Sequence, residues 1–171
     1  LWSPQLYGAP FVPLAAAAAV SDRLKLGTGV ALAFVRSPLE TASCALDLDM
    51  ISGGRAVLGI GPSIKWWNED WYGVPYGRPM TRTREYIDII RQIASREAPL
   101  QHQGLHYQIP YKGADSTGLG RPMQSILHAD EQLRIYTAAV TPAGLGTAAE
   151  IADGVFPIWM DPERFDLIGP H

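Results

Sequence analysis

Three stretches of this chain carry residue types whose spacing suits chemistry. The first is Lys25-Leu26-Gly27-Thr28-Gly29-Val30-Ala31-Leu32, which reads as a core strand holding two glycines. Glycine weakens a strand, so inside one it marks a bulge, a close approach by a ligand, or a tight packing spot against a helix. The second runs from Gly59-Ile60-Gly61 through Pro62 and Ser63 into a loop with Trp66, Trp67 and Trp71. Aromatic rings beside the Asn68 amide and the Glu69 and Asp70 carboxylates suit a planar ligand with polar edges. The same tryptophans can instead pack the loop onto the sheet, a role that falls first to Trp71. Glu69 and Asp70 are acid/base candidates, although adjacent carboxylates more often face water or hold structure. Pro62 and Ser63 break the G-x-G-x-x-G spacing, so this is not a dinucleotide fingerprint. The third stretch is Tyr136-Thr137-Ala138-Ala139-Val140-Thr141-Pro142-Ala143-Gly144. Its small side chains leave room for a ligand. Thr141, at a helix start, either presents N–H groups and positive dipole to a phosphate or serves as an ordinary N-cap.

Other chemistries find no support. His102 and His106 are four apart, but Gly104 between them argues against a helix that would aim both at a metal, so no metal site is expected. There is no H-E-x-x-H, no cysteine cluster and no G-x-S-x-G nucleophile elbow. Without a built-in nucleophile or metal, the hard chemistry falls to a cofactor.

The elements that must position these stretches alternate between strand-like and helix-like, which argues for βα units and a parallel sheet. Strands are expected over 24–32, 55–61, 133–140 and 154–160, and Leu1-Trp2-Ser3-Pro4 reads as the end of another. A helix is expected over 37–51, with Ser37 as N-cap, Pro38 first and Glu40 third, which is a capping box. Leu39, Ala42, Leu46 and Ile51 supply its apolar face, and Gly53-Gly54 end it. The Ala56-Val57-Leu58-Gly59-Ile60 run lacks polar alternation, as in a strand covered on both faces. Residues 81–95 form the clearest helix, with Tyr86, Ile89, Ile90 and Ile93 at helical spacing. Another is expected over 142–152. Residues from about 99 to 130 are irregular, a functional loop, an insertion or a lid. Ser37-Pro38, Thr141-Pro142 and Asp161-Pro162 each place a helix start just after a strand, and that end of a parallel barrel carries the active site.

Composition sets the class. The chain has 171 residues, 47% hydrophobic and 18% charged, as expected of a water-soluble globular protein. A net charge of −3, with Arg23, Arg55, Arg84 and Arg91 scattered, gives no electrostatic case for nucleic acid or an anionic membrane. Cys44 is the one cysteine, which excludes an internal disulfide framework and fits a reducing cytoplasm; in an apolar helical pattern it reads as a buried inert thiol. No apolar run reaches the roughly 18 residues that span a bilayer. Residues 14–20 lack the basic flank of a signal peptide, and Pro10 and Pro13 interrupt the approach. Without an initiator Met, and with a helix opening at Asp161-Pro162-Glu163 just before His171, the chain reads as one domain, 1–171, truncated at both ends.

Taken in order, the motifs resemble the luciferase-like monooxygenase family. They are Leu26-Gly27-Thr28-Gly29-Val30, Arg36-Ser37-Pro38-Leu39, Leu48-Asp49-Met50-Ile51-Ser52-Gly53-Gly54-Arg55, Leu58-Gly59-Ile60-Gly61, Gly73-Val74-Pro75, Arg84-Glu85-Tyr86 and Ala152-Asp153-Gly154. Trp2-Ser3-Pro4-Gln5 is similar to the branch using the deazaflavin coenzyme F420. The resemblance implies an α/β fold, here a partial (β/α)8 TIM barrel with the first strand and last two strands absent, and a flavin-type ring at the carboxyl ends of the strands. It implies a non-proline cis peptide behind the ring, matching Gly29–Val30, so that Thr28, Gly29 and Val30 contact the cofactor. It places Asn68 and Glu69 near the ring or substrate, and Ala138, Ala139 and Thr141 near the phosphate-bearing tail. Trp66 and Trp67 would shape the substrate pocket. Several relatives carry an Asp-His pair where this chain has Ser3, Pro4 and Gln5, which argues against a sugar-phosphate dehydrogenase mechanism using that His.

The expectation is therefore a cytoplasmic F420-dependent oxidoreductase that transfers hydride to or from a small organic substrate, in a parent that is a candidate homo-oligomer. The alternatives are an FMN-dependent monooxygenase and a non-catalytic, incomplete barrel fragment. No residue is assigned as general acid or base beyond the candidates Glu69 and Asn68.

Overall fold

The structure, a computed structural model, describes residues 1–6, 8–127, 133–157, 161–167 and 169. Strand and helix alternate along it: β1 (Trp2–Ser3), α1 (Phe11–Ala19), β2 (Leu26–Thr28), β3 (Ala31–Leu32), α2 (Pro38–Ser52), β4 (Ala56–Gly61), α3 (Pro79–Ser95), β5 (His102–Gln103), β6 (Gln108–Ile109), β7 (Arg134–Ala138), α4 (Pro142–Ile151) and β8 (Gly154–Phe156). Strands β1, β2, β4, β7 and β8 pair in parallel in that order, and β3 also pairs with β4. Parallel neighbours joined through helices in chain order are the wiring of a (β/α)8 barrel. The expected strand over 24–32 is two strands, because the chain bulges at Gly29 and Val30. Strand β8 stops at Phe156, and 158–160 lie outside the described residues.

Side chains alternate across these strands. Leu26, Leu58, Ile60 and Ile135 point to one face and are buried with Leu14, Leu46, Ile87 and Ile90 from the helices. On the other face the rings of Trp2, Tyr136 and Phe156 meet. The alternation in β4 is thus between aliphatic residues outward and Val57, Gly59 and Gly61 inward, so its lack of polar residues does not mean a lack of period.

Helix α2 starts as expected: Glu40 N donates to Ser37 Oγ at 3.0 Å. The capping box is only half made, because the Glu40 carboxylate takes Arg36 Nη1 at 2.8 Å instead of reaching back to Ser37. Ile51 is exposed, against expectation. At 100° per residue it lies about 140° round the helix from Leu46, off the buried stripe. Gly53 closes the helix at φ 67°, the left-handed region that glycine accepts. Cys44 is half-buried rather than buried as expected, and desolvation, followed by the nearby Glu40, pushes its thiol pKa up, which disfavours the thiolate. In α3 the predicted stripe of Tyr86, Ile89, Ile90 and Ile93 is buried, and Tyr86 OH lies 2.5 Å from Thr41 Oγ1 of α2.

The stretch expected to be irregular holds a hairpin, β5–β6, docked on α3. The Glu85 carboxylate accepts the backbone N–H groups of Leu105, His106 and Tyr107 at 2.9, 2.9 and 3.0 Å. At the amino ends of the strands, Ala56 N donates to Asp49 and Ile135 N to Asp153. The expected helix after Asp161 is a short 3-10 segment, Pro162–Leu167, broken at Arg164. Among the described residues no helix is long and apolar enough to cross a membrane.

Candidate functional site

The carboxyl ends of β2, β4, β7 and β8 meet around glycine. After Thr28 the chain turns through the cis Gly29–Val30 peptide before β3 begins. Thr28 is buried, and its hydroxyl is engaged twice, donating to Gly59 O at 2.6 Å and accepting from Gly59 N at 2.9 Å. The two strands come so close that a Cβ on Gly59 would collide with Thr28 O. Two residues further on, a Cβ on Gly61 would stand 3.0 Å from both Val30 Cγ2 and Ala138 Cβ. Val30, Gly61 and Ala138 therefore make a continuous, low floor with backbone at its centre.

Beside this floor opens a cavity of ≈ 610 Å³, within the usual range for small-molecule sites. Ser63 and Ile64 bound it after β4, Tyr76 and Met80 near the start of α3, and Ala138, Ala139, Thr141 and Phe156 at the strand ends. Tyr76 OH donates to Ser63 O at 2.9 Å, and burial pushes its phenol pKa up, so it stays a neutral donor. Thr141 is an N-cap, its Oγ1 accepting from Gly144 N at 3.1 Å. Pro142 has no N–H and Leu145 N donates to Thr141 O, so Ala143 N–H is the first-turn donor without an acceptor among the described residues. The helix end offers an anion its dipole and one amide, less than the sequence suggests.

The loop residues fall differently. Asn68 is buried, and its Nδ2 donates to Pro62 O at 2.9 Å and Ile64 O at 2.8 Å, which ties the loop back on itself. Glu69 accepts from Tyr76 N at 3.2 Å and lies 3.8 Å from Lys65 Nζ. Residues Trp67–Trp71 form one π-helical turn. Trp66 and Trp67 stack at 5.9 Å, and Trp71 meets both edge-on. None of the three lines the cavity. Trp71 does not pack the loop onto the sheet; it is 59% exposed and packs on the other two, because the π turn carries all three to one outer cluster. His102 lies on the hairpin, 3.1 Å from Asp88, and His106 packs against Gly77.

The structure thus brings Ala138, Ala139 and Thr141 to one cavity, places Gly29 and Val30 in the bulge beside it with Thr28 in support, and leaves Trp66, Trp67, Asn68 and Glu69 in the neighbouring loop. Sequence reasoning did not single out Gly61, which packs between Val30 and Ala138, or Tyr76 and Phe156, which wall the cavity. The available signal was the pairing of Gly27 with Gly29 and of Gly59 with Gly61, each two apart and therefore on one face.

Can a flavin-type ring fit here? Gly61 is buried between the Val30 and Ala138 side chains, and the cavity beside it is walled by Ala138, Ala139 and Phe156 with the Thr141 helix end along it, a small-residue lining that leaves room for a flat ring. Sequential parallel strands, helices packed on one face and a cavity at the strands' carboxyl ends are the architecture of a partial (β/α)8 barrel. Within that class, the chain belongs to the luciferase-like monooxygenase family, whose model matches residues 1–170. It is 42% identical over 153 residues to a Mycobacterium tuberculosis protein named as a coenzyme F420-dependent oxidoreductase, covering 89% of this chain and 44% of that one. It is 32% identical over 171 residues to 5,10-methylenetetrahydromethanopterin reductase of Methanopyrus kandleri, covering 92% of this chain and 46% of the reductase. The solved structure of coenzyme F420-dependent tetrahydromethanopterin reductase from the same organism matches with a TM-score of 0.76 at 29% identity, over 99% of this chain and 50% of that one. The chain spans about half the length of these relatives.

Proposed function

We propose that the protein is an oxidoreductase that binds coenzyme F420 and serves hydride transfer with a small organic substrate. The observation that carries this reading is the cavity at the carboxyl ends of the parallel strands, lined by Ala138, Ala139 and Thr141 beside the packed Val30, Gly61 and Ala138. The names of two similar proteins support the deazaflavin over FMN. When bound, the deazaflavin supplies a two-electron hydride carrier. Gly29 and Val30 would back its ring, and Gly61 and Ala138 would lie under it. Ala139, Thr141 and the Ala143 N–H would face the phosphate-bearing tail. Thr28 acts through Gly59, fixing the spacing of β2 and β4 below the floor. Ile64 and Lys65 line the cavity, whereas Trp66 and Trp67 pack on each other outside it and would act on the substrate only by holding that loop. Asn68 and Glu69 serve by holding this loop in place, since their side chains bond within it.

The test is a titration of the whole protein with F420 and, separately, with FMN, followed by quenching of ring fluorescence. Saturable F420 binding that Gly61→Val removes supports the reading. Saturable binding of FMN in its place moves the protein to the FMN-dependent monooxygenases. Binding of neither ring overturns both.

A further inference from the structure

Gln5 follows β1 and is 8% exposed, an unusual place for a primary amide. Its bonds explain the burial. Gln5 N donates to Val30 O at 3.2 Å, on one side of the bulge between β2 and β3. Leu32 N donates to Gln5 Oε1 at 3.0 Å, on the other side, where β3 has begun. Arg36 Nε reaches the same oxygen at 3.4 Å. A backbone N–H and a guanidinium N–H can only donate, so the amide oxygen, not its nitrogen, must face them. One residue therefore clasps the bulge at both ends, through its backbone at Val30 and its side chain at Leu32. Val30 in turn is the residue whose side chain borders Gly61.

We propose that Gln5 is a positioning residue for the ligand floor: its amide holds the bulge so that Val30 stands correctly beside Gly61. The ring-binding part of this inference rests on the proposed function; the clasp itself does not. A bulge that keeps its shape only a tenth of the time would bind a ring about tenfold more weakly, because only the competent fraction binds.

The experiment compares Gln5→Met, which keeps length but loses the acceptor, with Gln5→Glu, which keeps an acceptor facing Leu32 N and Arg36. Thr41→Val is the control, since it removes the buried contact with Tyr86 OH without touching the bulge. In the ligand-free protein, amide exchange at Leu32 should quicken about tenfold in Gln5→Met while Gly59, bonded to Thr28, keeps its protection, and Gln5→Glu should match wild type. With F420 added below every variant's melting range, Gln5→Met should bind about tenfold more weakly and Gln5→Glu like wild type. Thr41→Val should melt lower with unchanged affinity. Wild-type exchange at Leu32 in Gln5→Met overturns the clasp. Wild-type affinity in Gln5→Met, or an equal loss in Thr41→Val, overturns the positioning role. If the wild-type protein binds no F420, the proposed function fails, and the exchange measurement alone decides the role of Gln5.

Discussion

The indole of Trp2 on β1 meets the phenyl ring of Phe156 on β8 edge-on, with centroids 4.9 Å apart. These strands stand at the two ends of the order β1-β2-β4-β7-β8. In a flat sheet four strand spacings would separate them by about 19 Å, too far for two rings to touch so closely. The sheet is therefore strongly curled, and the rings fill its inner face. Space for them comes from glycine: a Cβ on Gly27 would run into Trp2, one on Gly59 would come 2.8 Å from Phe156 Cε2, and one on Gly154 would come 2.9 Å from the Tyr136 ring. Inward glycines thus do two things. Low in the strands they admit aromatic packing, and at the carboxyl ends Gly61 lets Val30 and Ala138 pack close beside the cavity.

Gly59→Ala tests the first of these. The new methyl would meet Thr28 O, which cannot move away without opening the β2–β4 pairing, as well as Phe156. The expected loss is about 2–3 kcal/mol of stability, seen as a lower denaturant midpoint with an unchanged slope. A loss below about 0.5 kcal/mol, the size of an ordinary surface substitution, would mean that the two strands do not approach this closely.

Gly61→Ala tests the second. Its methyl would stand 3.0 Å from Val30 Cγ2, which can rotate, and from Ala138 Cβ, which must shift with β7 by a few tenths of an ångström. Stability should therefore fall by less than about 1 kcal/mol. Ring affinity should fall by at least about tenfold, since the methyl would push Val30 and Ala138 toward the ring's place. Calorimetric titration beside thermal melting separates the two effects; an unchanged affinity would move the ring away from Gly61.

Much of this was legible in the sequence, and what was legible has a physical reason. The α3 stripe of Tyr86, Ile89, Ile90 and Ile93 showed through because burying one helical face demands that period. The α2 start showed through because Ser37 and Pro38 solve a local problem of orphan N–H groups. The motifs that carried the family resemblance also include residues away from the floor. Asp49, Glu85 and Asp153 accept backbone N–H groups from β4, the β5–β6 hairpin and β7, so they mark the scaffold rather than the chemistry. The loop was less legible. Whether Trp66 and Trp67 face a cavity or each other depends on a π turn, and no period in the sequence signals one. The Gln5 clasp joins positions 27 apart through one amide, a pairing that only the folded sheet creates.

Ser63 leads from β4 into this loop with φ 61°, the left-handed region. A side chain costs about 1–2 kcal/mol there, and glycine avoids that cost at the expense of some chain entropy. Ser63→Gly should raise stability by about 0.5–1 kcal/mol, measured by thermal denaturation. The Ser63 carbonyl, not its side chain, accepts from Tyr76 OH, so the cavity wall keeps its bond in the variant. A fall in stability would assign the Ser63 hydroxyl a role of its own.

The hairpin on α3 should respond to acid through Glu85. Burial pushes this carboxyl's pKa up, but the N–H groups of His106, Tyr107 and Leu105, with help from His102, outweigh that and hold it below its ordinary value of 4.5. A lowered folded-state pKa means that the folded protein binds its proton later than the unfolded chain does. The contribution of the carboxylate is therefore complete above the ordinary value and is lost as pH falls through the lower, folded value. Protonation adds a hydrogen and removes the charge that three backbone donors share, so the hairpin should loosen in that acid window. Amide exchange at Leu105, His106 and Tyr107 is the measurement. Protection at these three should fall with pH relative to amides inside α3, and Glu85→Gln should show the weakened protection at every pH. If protection in the wild type stays level through the window while Glu85→Gln loses it, the carboxyl acts through its two acceptor oxygens and not by charge.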